Sequence, residues 1–158
     1  MTGGAARGLA GGVVATVAMS AVMLGAQKLG LLGTMPPRKI TDAMLGAVGL
    51  RGRASKPARR ALATLNHLAF GGVCGALFGV TYDVWRVRAP STADVRGHRA
   101  PLVAGLAFGT AIWAVSYAGW VPALRIMPVP KHDRPGRPAS MVLAHWVFGA
   151  ILAKIVAA

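Results

Sequence analysis

Two stretches of this chain share one spacing. Leu65-Asn66-His67-Leu68-Ala69-Phe70-Gly71 and Leu143-Ala144-His145-Trp146-Val147-Phe148-Gly149 both read L-x-H-x-x-F-G, and each lies inside a long apolar segment. An imidazole is costly in a bilayer and by default faces the bundle interior, a partner or a cofactor. Two of them in the same local sequence suggest a duplicated hairpin with a paired internal site. Each His stands about six residues into its apolar run, roughly 9 Å along a helix, so the two rings are expected at similar depth. Neutral imidazoles facing each other across a bundle could ligate the iron of haem b axially, with Gly71 and Gly149 one turn further on leaving room for a macrocycle. The plainer reading is that each ring fastens the bundle or touches a partner, with Thr16, Ser20, Thr64 and Ser116 as available hydrogen-bonding groups. Proton handling is a third use. Zinc would need a further intramembrane ligand, and none accompanies the pair.

Other chemistry is conspicuous by its absence. The chain has no Glu, and its four Asp (Asp42, Asp83, Asp94 and Asp133) fall in connections or at a span end. Proton- and cation-coupled carriers place a carboxylate within the membrane, so a coupled transporter is disfavoured. No Ser-His-acid arrangement, phosphate loop or metalloprotease motif is present, and a non-enzymatic protein is expected. Asp83 beside Tyr82 and Trp85 reads as a belt residue, and Trp113, Trp120 and Trp146 as packing or belt residues.

The elements that must position the histidines follow from composition. In 158 residues, 54% are hydrophobic and only 14% charged, too apolar for an ordinary soluble domain. Four segments reach spanning length, at about 8–32, 61–82, 101–124 and 139–158. The expectation is an all-α, integral membrane four-helix bundle forming a single transmembrane domain, with no extramembrane module. The first apolar run is longer than a signal-peptide core and no small-x-small cleavage site follows it, so Met1 onward is read as retained. Cys74 has no second cysteine to pair with and reads as a small apolar residue.

A formal charge of +14 would suggest nucleic acid on a soluble domain. Here the basic residues sit in the connections, where Arg38, Lys39, Arg51, Arg53, Arg59 and Arg60 are expected to contact anionic lipid headgroups; no nucleic-acid partner is expected. Counted by side, Lys and Arg favour the first and third connections as cytoplasmic, with both termini outside. Met35-Pro36-Pro37 is expected to stop the first span, and a short interfacial helix is expected at about 40–50. Ser55 and Pro57 suit the cap and first turn of the second span, and the Pro- and Arg-rich third connection is expected to be extended.

Small residues recur every four positions. Gly8, Gly12, Thr16 and Ser20 do so on the first span, Gly71, Gly75 and Gly79 on the second, and Gly105 and Gly109 on the third, with Gly149 one turn after His145 on the fourth. Such ladders let backbones approach closely where lipid removes the hydrophobic drive. Ala10-Gly11, Thr16 and Gly25 match Ala104-Gly105, Thr110 and Gly119 at one offset, and Met35-Pro36 matches Met127-Pro128. Two similar hairpins related by a pseudo-twofold along the membrane normal are therefore expected.

The order of features resembles the YagU-type family of small, uncharacterised bacterial inner-membrane proteins. The likeness rests on Pro36-Pro37-Arg38 after the first span, His67-Leu68-Ala69-Phe70-Gly71 in a later one and His145-Trp146-Val147-Phe148 in the last. This chain departs from it in a shorter, basic first connection and in lacking a charged tail after the fourth span. The resemblance implies a multi-pass protein of the bacterial cytoplasmic membrane with cytoplasmic termini, opposite to the charge count, and it implies no activity. The function expected is a non-enzymatic accessory or structural subunit, meeting a membrane-protein partner or its own copies through Gly-rich faces. A haem b electron-transfer subunit using His67 and His145 is the alternative, and a small solute or lipid channel is the second.

Overall fold

A computed structural model describes residues 2–88 and 99–158; the expectation for Asp94 lies outside these residues. Among the described residues the chain is all-helical, with five helices and no strand. They are α1 (Thr2–Lys28), α2 (Pro36–Ala47), α3 (Lys56–Arg88), α4 (Arg99–Val115, continued by a π-helical turn Ser116–Trp120 and a last turn Val121–Ala123) and α5 (Arg137–Ala157). Except for the short α2, all are long and apolar enough to cross a membrane.

The first span ends at Lys28, not near Leu32, and the proline pair does not end it. Gly30 takes φ +78°, so that its N–H reaches the Gln27 carbonyl (3.0 Å) and the Leu31 N–H reaches Ala26 (2.9 Å). This is the paired closure that glycine allows just past a helix end. Pro36 and Pro37 open α2 instead, because a first turn needs no N–H from them and suits their fixed φ. The short helix expected at about 40–50 therefore spans Pro36–Ala47. The second span is longer than its apolar stretch, since Ser55 Oγ accepts the Ala58 N–H (3.3 Å) and starts the helix before Ala61. The third connection is not extended throughout: Pro130–His132 forms a 3-10 turn, and Gly136 at φ +83° leads into α5.

α1 and α5 form the middle of the bundle. α1 packs on both α3 and α5, and α4 packs on α5. Ala15, Met19, Met23 and Ala26 make one buried stripe of α1; Met141, Ala144, Phe148, Leu152 and Val156 make the facing stripe of α5. At the end of the bundle nearer the chain termini, Phe78 stacks on Tyr82 (ring centroids 5.9 Å) and meets Phe108 of α4 (5.1 Å), filling the centre with rings. At the opposite end the aromatic pair is Trp113 with Tyr117 (6.1 Å), both carried by α4 and its π turn.

Candidate functional site

Glycine decides where the helices touch and where they part. A Cβ added at Gly8 would collide with the Gly75 backbone, one at Gly12 with Gly71, and one at Gly79 with Gly4. A Cβ at Gly71 would strike the side chain of Thr16, whose Oγ1 donates to the Gly12 carbonyl (2.6 Å). α1 and α3 are thus in backbone contact over one half of their length. On the other pair, Gly105 meets Gly149, and Gly109 meets the His145 backbone. These glycines are consumed between helices of the same chain, so they present no face to a partner.

Past the Gly12–Gly71 level the glycines give way to Met19 and Met23 on α1 and to His67 and Asn66 on α3. The helices cannot stay in contact there, and a cavity of about 320 Å³ opens between them. His67 and His145 both line it. So do five of the seven methionines: Met19, Met23, Met44, Met127 and Met141. α2 roofs it with Pro36, Pro37, Ile40 and Thr41, and Asn66 Nδ2 of α3 holds the roof through Thr41 Oγ1 (3.4 Å).

The remaining wall comes from the π turn of α4, which contributes Ser116, Tyr117 and Trp120. Its cause lies just beyond it. Pro122 has no N–H and its ring would press on the Ala118 carbonyl in a regular helix; the widened turn, closed by the Val121 N–H on Ser116, relieves that clash. The extra residue swings Tyr117 inward, and its hydroxyl donates to Asp133 Oδ2 (2.6 Å).

The two imidazoles are held differently. His145 is buried, and its Nδ1 lies 2.7 Å from the Met141 carbonyl, one turn back on α5. A carbonyl only accepts, so Nδ1 carries the proton and Nε2 is left as a lone pair. The partner is therefore a backbone carbonyl and none of Thr16, Ser20, Thr64 or Ser116; the hydroxyls of Thr16, Thr64 and Ser116 each bond a carbonyl of their own helix. His67 Nε2 is enclosed with no hydrogen-bond partner. Its ring also borders a second space: a more polar cleft on the outer side of α3, lined by Ser20, Arg38, Arg60 and Thr64. His67, Ala63 and Pro37 are common to both walls. Among the described residues no cluster of three or more His, Cys, Asp or Glu could hold a metal.

The basic connection is not uniform. Arg59 pairs with Asp42 (3.1 Å), whereas Arg51 and Arg53 are exposed and Arg38 and Lys39 are half-buried. Arg137, buried at the start of α5, binds both Asp133 and the Leu32 carbonyl. That network is invisible to motif reading, because its members lie in three separate parts of the chain. Trp146 donates to Thr110 Oγ1 (2.9 Å) and ties α5 to α4, and Asp83 pairs with Arg7 (3.1 Å).

No curated protein and no solved structure matches the chain. The model of a family of unknown function, DUF6789, matches residues 3–158, and the chain belongs to that family.

Proposed function

We propose that this is a non-enzymatic, multi-pass protein of the bacterial cytoplasmic membrane that holds one compact, largely apolar molecule between His67 and His145. The observation that carries this is the convergence of both histidines and five methionines on one cavity of about 320 Å³. Methionine walls adapt to the shape of what they enclose, and a few polar groups set in an apolar lining are the ordinary make-up of a ligand pocket. His145 offers a free Nε2 lone pair and His67 an unpartnered Nε2, so the occupant carries at least one hydrogen-bonding group.

Haem b between the same two histidines is a narrower form of this reading. The cavity stands at the low end of the roughly 300–1,000 Å³ typical of small-molecule pockets. A macrocycle would need Met19, Met23 and Met141 to move aside. A channel gains little support, because no α3 residue beyond Phe70 and no α1 residue before Met19 reaches the cavity. An accessory subunit remains compatible with ligand holding. With the glycine ladders used inside the chain, its partner would meet the large apolar side chains that α3 and α4 leave exposed, such as Val73, Leu77, Val103 and Val115.

Both hairpins closing on a glycine pair, Gly12 with Gly71 and Gly105 with Gly149, supports duplicated halves. These contacts match Gly12 with Gly105, one position away from the match of Gly11 with Gly105 suggested by the sequence alone.

The test uses the cavity's own fluorophore. In detergent-purified protein keeping Trp120 as its one tryptophan, para-bromophenol should quench emission saturably. Ala63→Phe, which fills the cavity, should leave only linear quenching from probe dissolved in the micelle. Identical linear quenching in both proteins would remove the ligand-holding reading. An absorption spectrum of the purified protein, oxidised and then dithionite-reduced, decides the haem form: a haem band lost in both His67→Ala and His145→Ala would establish it.

A further inference from the structure

The cleft on the outer side of α3 has a different chemistry from the cavity. The chain carries 18 Lys and Arg against four Asp, and three of those Asp are already paired, with Arg7, Arg59 and Arg137. Arg38 and Arg60 both line the cleft, and neither has a carboxylate partner among the described residues. The Nε of Arg38 is enclosed and bonded to nothing. Two guanidinium forks that line one cleft without a carboxylate are best satisfied by a phosphate or carboxylate.

The cleft is amphipathic along its length. Arg38, Arg60 and Thr34 stand at the end where α1 stops and α3 begins, while Val17, Leu24 and Leu68 line it further in. Val17 lies 11 positions before Lys28, about 16 Å along the helix, so the apolar end reaches well below headgroup level. The cleft measures about 700 Å³, against about 320 Å³ for the cavity.

We infer that this cleft is a binding site for one anionic phospholipid, its phosphate held by Arg38 and Arg60 and an acyl chain lying along Val17, Leu24 and Leu68. Free phosphate shares the headgroup chemistry but leaves the apolar end empty, so the occupant is the lipid. The site does not depend on the cavity holding a ligand; the two share only the wall formed by Pro37, Ala63 and His67.

Native mass spectrometry of the full-length protein, titrated with phosphatidylglycerol or phosphatidylcholine, tests this. One phosphatidylglycerol should bind in preference to phosphatidylcholine. Arg38→Gln/Arg60→Gln should weaken it roughly tenfold or more, as loss of two guanidinium–phosphate contacts requires. Arg51→Gln/Arg53→Gln removes the same charge from the same connection but outside the cleft, and should weaken binding far less. Equal weakening in both double variants would mean diffuse attraction to the basic connection and would overturn the site. Displacement of the lipid by millimolar inorganic phosphate would overturn the lipid as occupant. If the Gln variant melts early by circular dichroism, Arg38→Lys/Arg60→Lys takes its place: it keeps the charge, loses the planar forks and should still bind several-fold more weakly.

Discussion

Arg137 donates from Nε (2.9 Å) and Nη2 (2.5 Å) to the carbonyl of Leu32, 105 positions earlier in the chain. Its Nη1 holds Asp133, whose other oxygen takes the Tyr117 hydroxyl at 2.6 Å. One buried guanidinium thus joins the chain just past α1, the start of α5 and the π turn of α4. Those elements bound the end of the bundle that contains the cavity.

Removing it should be severe. Arg137→Ala strands the Asp133 carboxylate and the Leu32 carbonyl in a buried setting, and loss of one partner of a buried pair costs about 3–5 kcal/mol. Thermal unfolding in micelles, followed by circular dichroism, should show a large drop in midpoint. Arg137→Lys should fall in between, since an ammonium cannot bond both groups in one plane. Lys131→Ala, on the exposed 3-10 turn, should leave the midpoint near wild type; an equal drop there would remove the special role of Arg137.

The glycines divide into two classes that a single substitution separates. Ala at Gly75 or Gly149 puts a methyl against a facing backbone carbonyl that cannot rotate away. The helices must separate, and overpacking of this kind costs about 1–3 kcal/mol. Gly25 is helical and exposed, with nothing near its missing Cβ, so Gly25→Ala should stabilise by up to about 1 kcal/mol. The sign of the change is the measurement: a Gly75→Ala protein that melts later than wild type would contradict the backbone contact.

α1 and α4 end alike but not with equal ease. Where α1 uses Gly30, the end of α4 holds Arg125 at φ 56°, with its N–H on Pro122 and the Ile126 N–H on Val121 (3.1 Å). A side chain in that left-handed region costs roughly 1–2 kcal/mol. Arg125→Gly should therefore stabilise, and Gly30→Ala destabilise, each by about 1 kcal/mol. Chemical-denaturant midpoints of the two variants should move in opposite directions.

What could be read from the sequence, and what could not, follows the range of the interactions involved. The long helices are legible because a bilayer-length apolar run has few other uses, and the repeated motif picks out His67 and His145 directly. The end of α1 is misread because a proline pair marks both the end of one helix and the first turn of the next; only the backbone angle at Gly30 separates the two. The π turn follows from Pro122, yet nothing in the sequence says which residues it turns inward. The methionines of the cavity look like ordinary core at helical spacing, since their convergence depends on where α1 and α3 part. His145 finds the Met141 carbonyl one turn back on its own helix, a partner available at every helical position and therefore unmarked by any motif.

His67 stands between the roofed cavity and the outer cleft, and its removal should join them. In the single-tryptophan protein retaining Trp120, a half-buried residue that lines the cavity, acrylamide quenching reads how freely the indole is reached from outside. His67→Ala deletes the ring that forms the shared wall, so the quenching constant should rise clearly. His145→Ala enlarges the cavity from the far side, at a buried position of α5, and should raise quenching much less. Leu68→Ala widens the cleft without touching the partition and should leave Trp120 as protected as in the parent. A quenching constant unchanged in His67→Ala would mean that Ala63 and Pro37 close the wall by themselves, and that the imidazole is held there for its Nε2 alone.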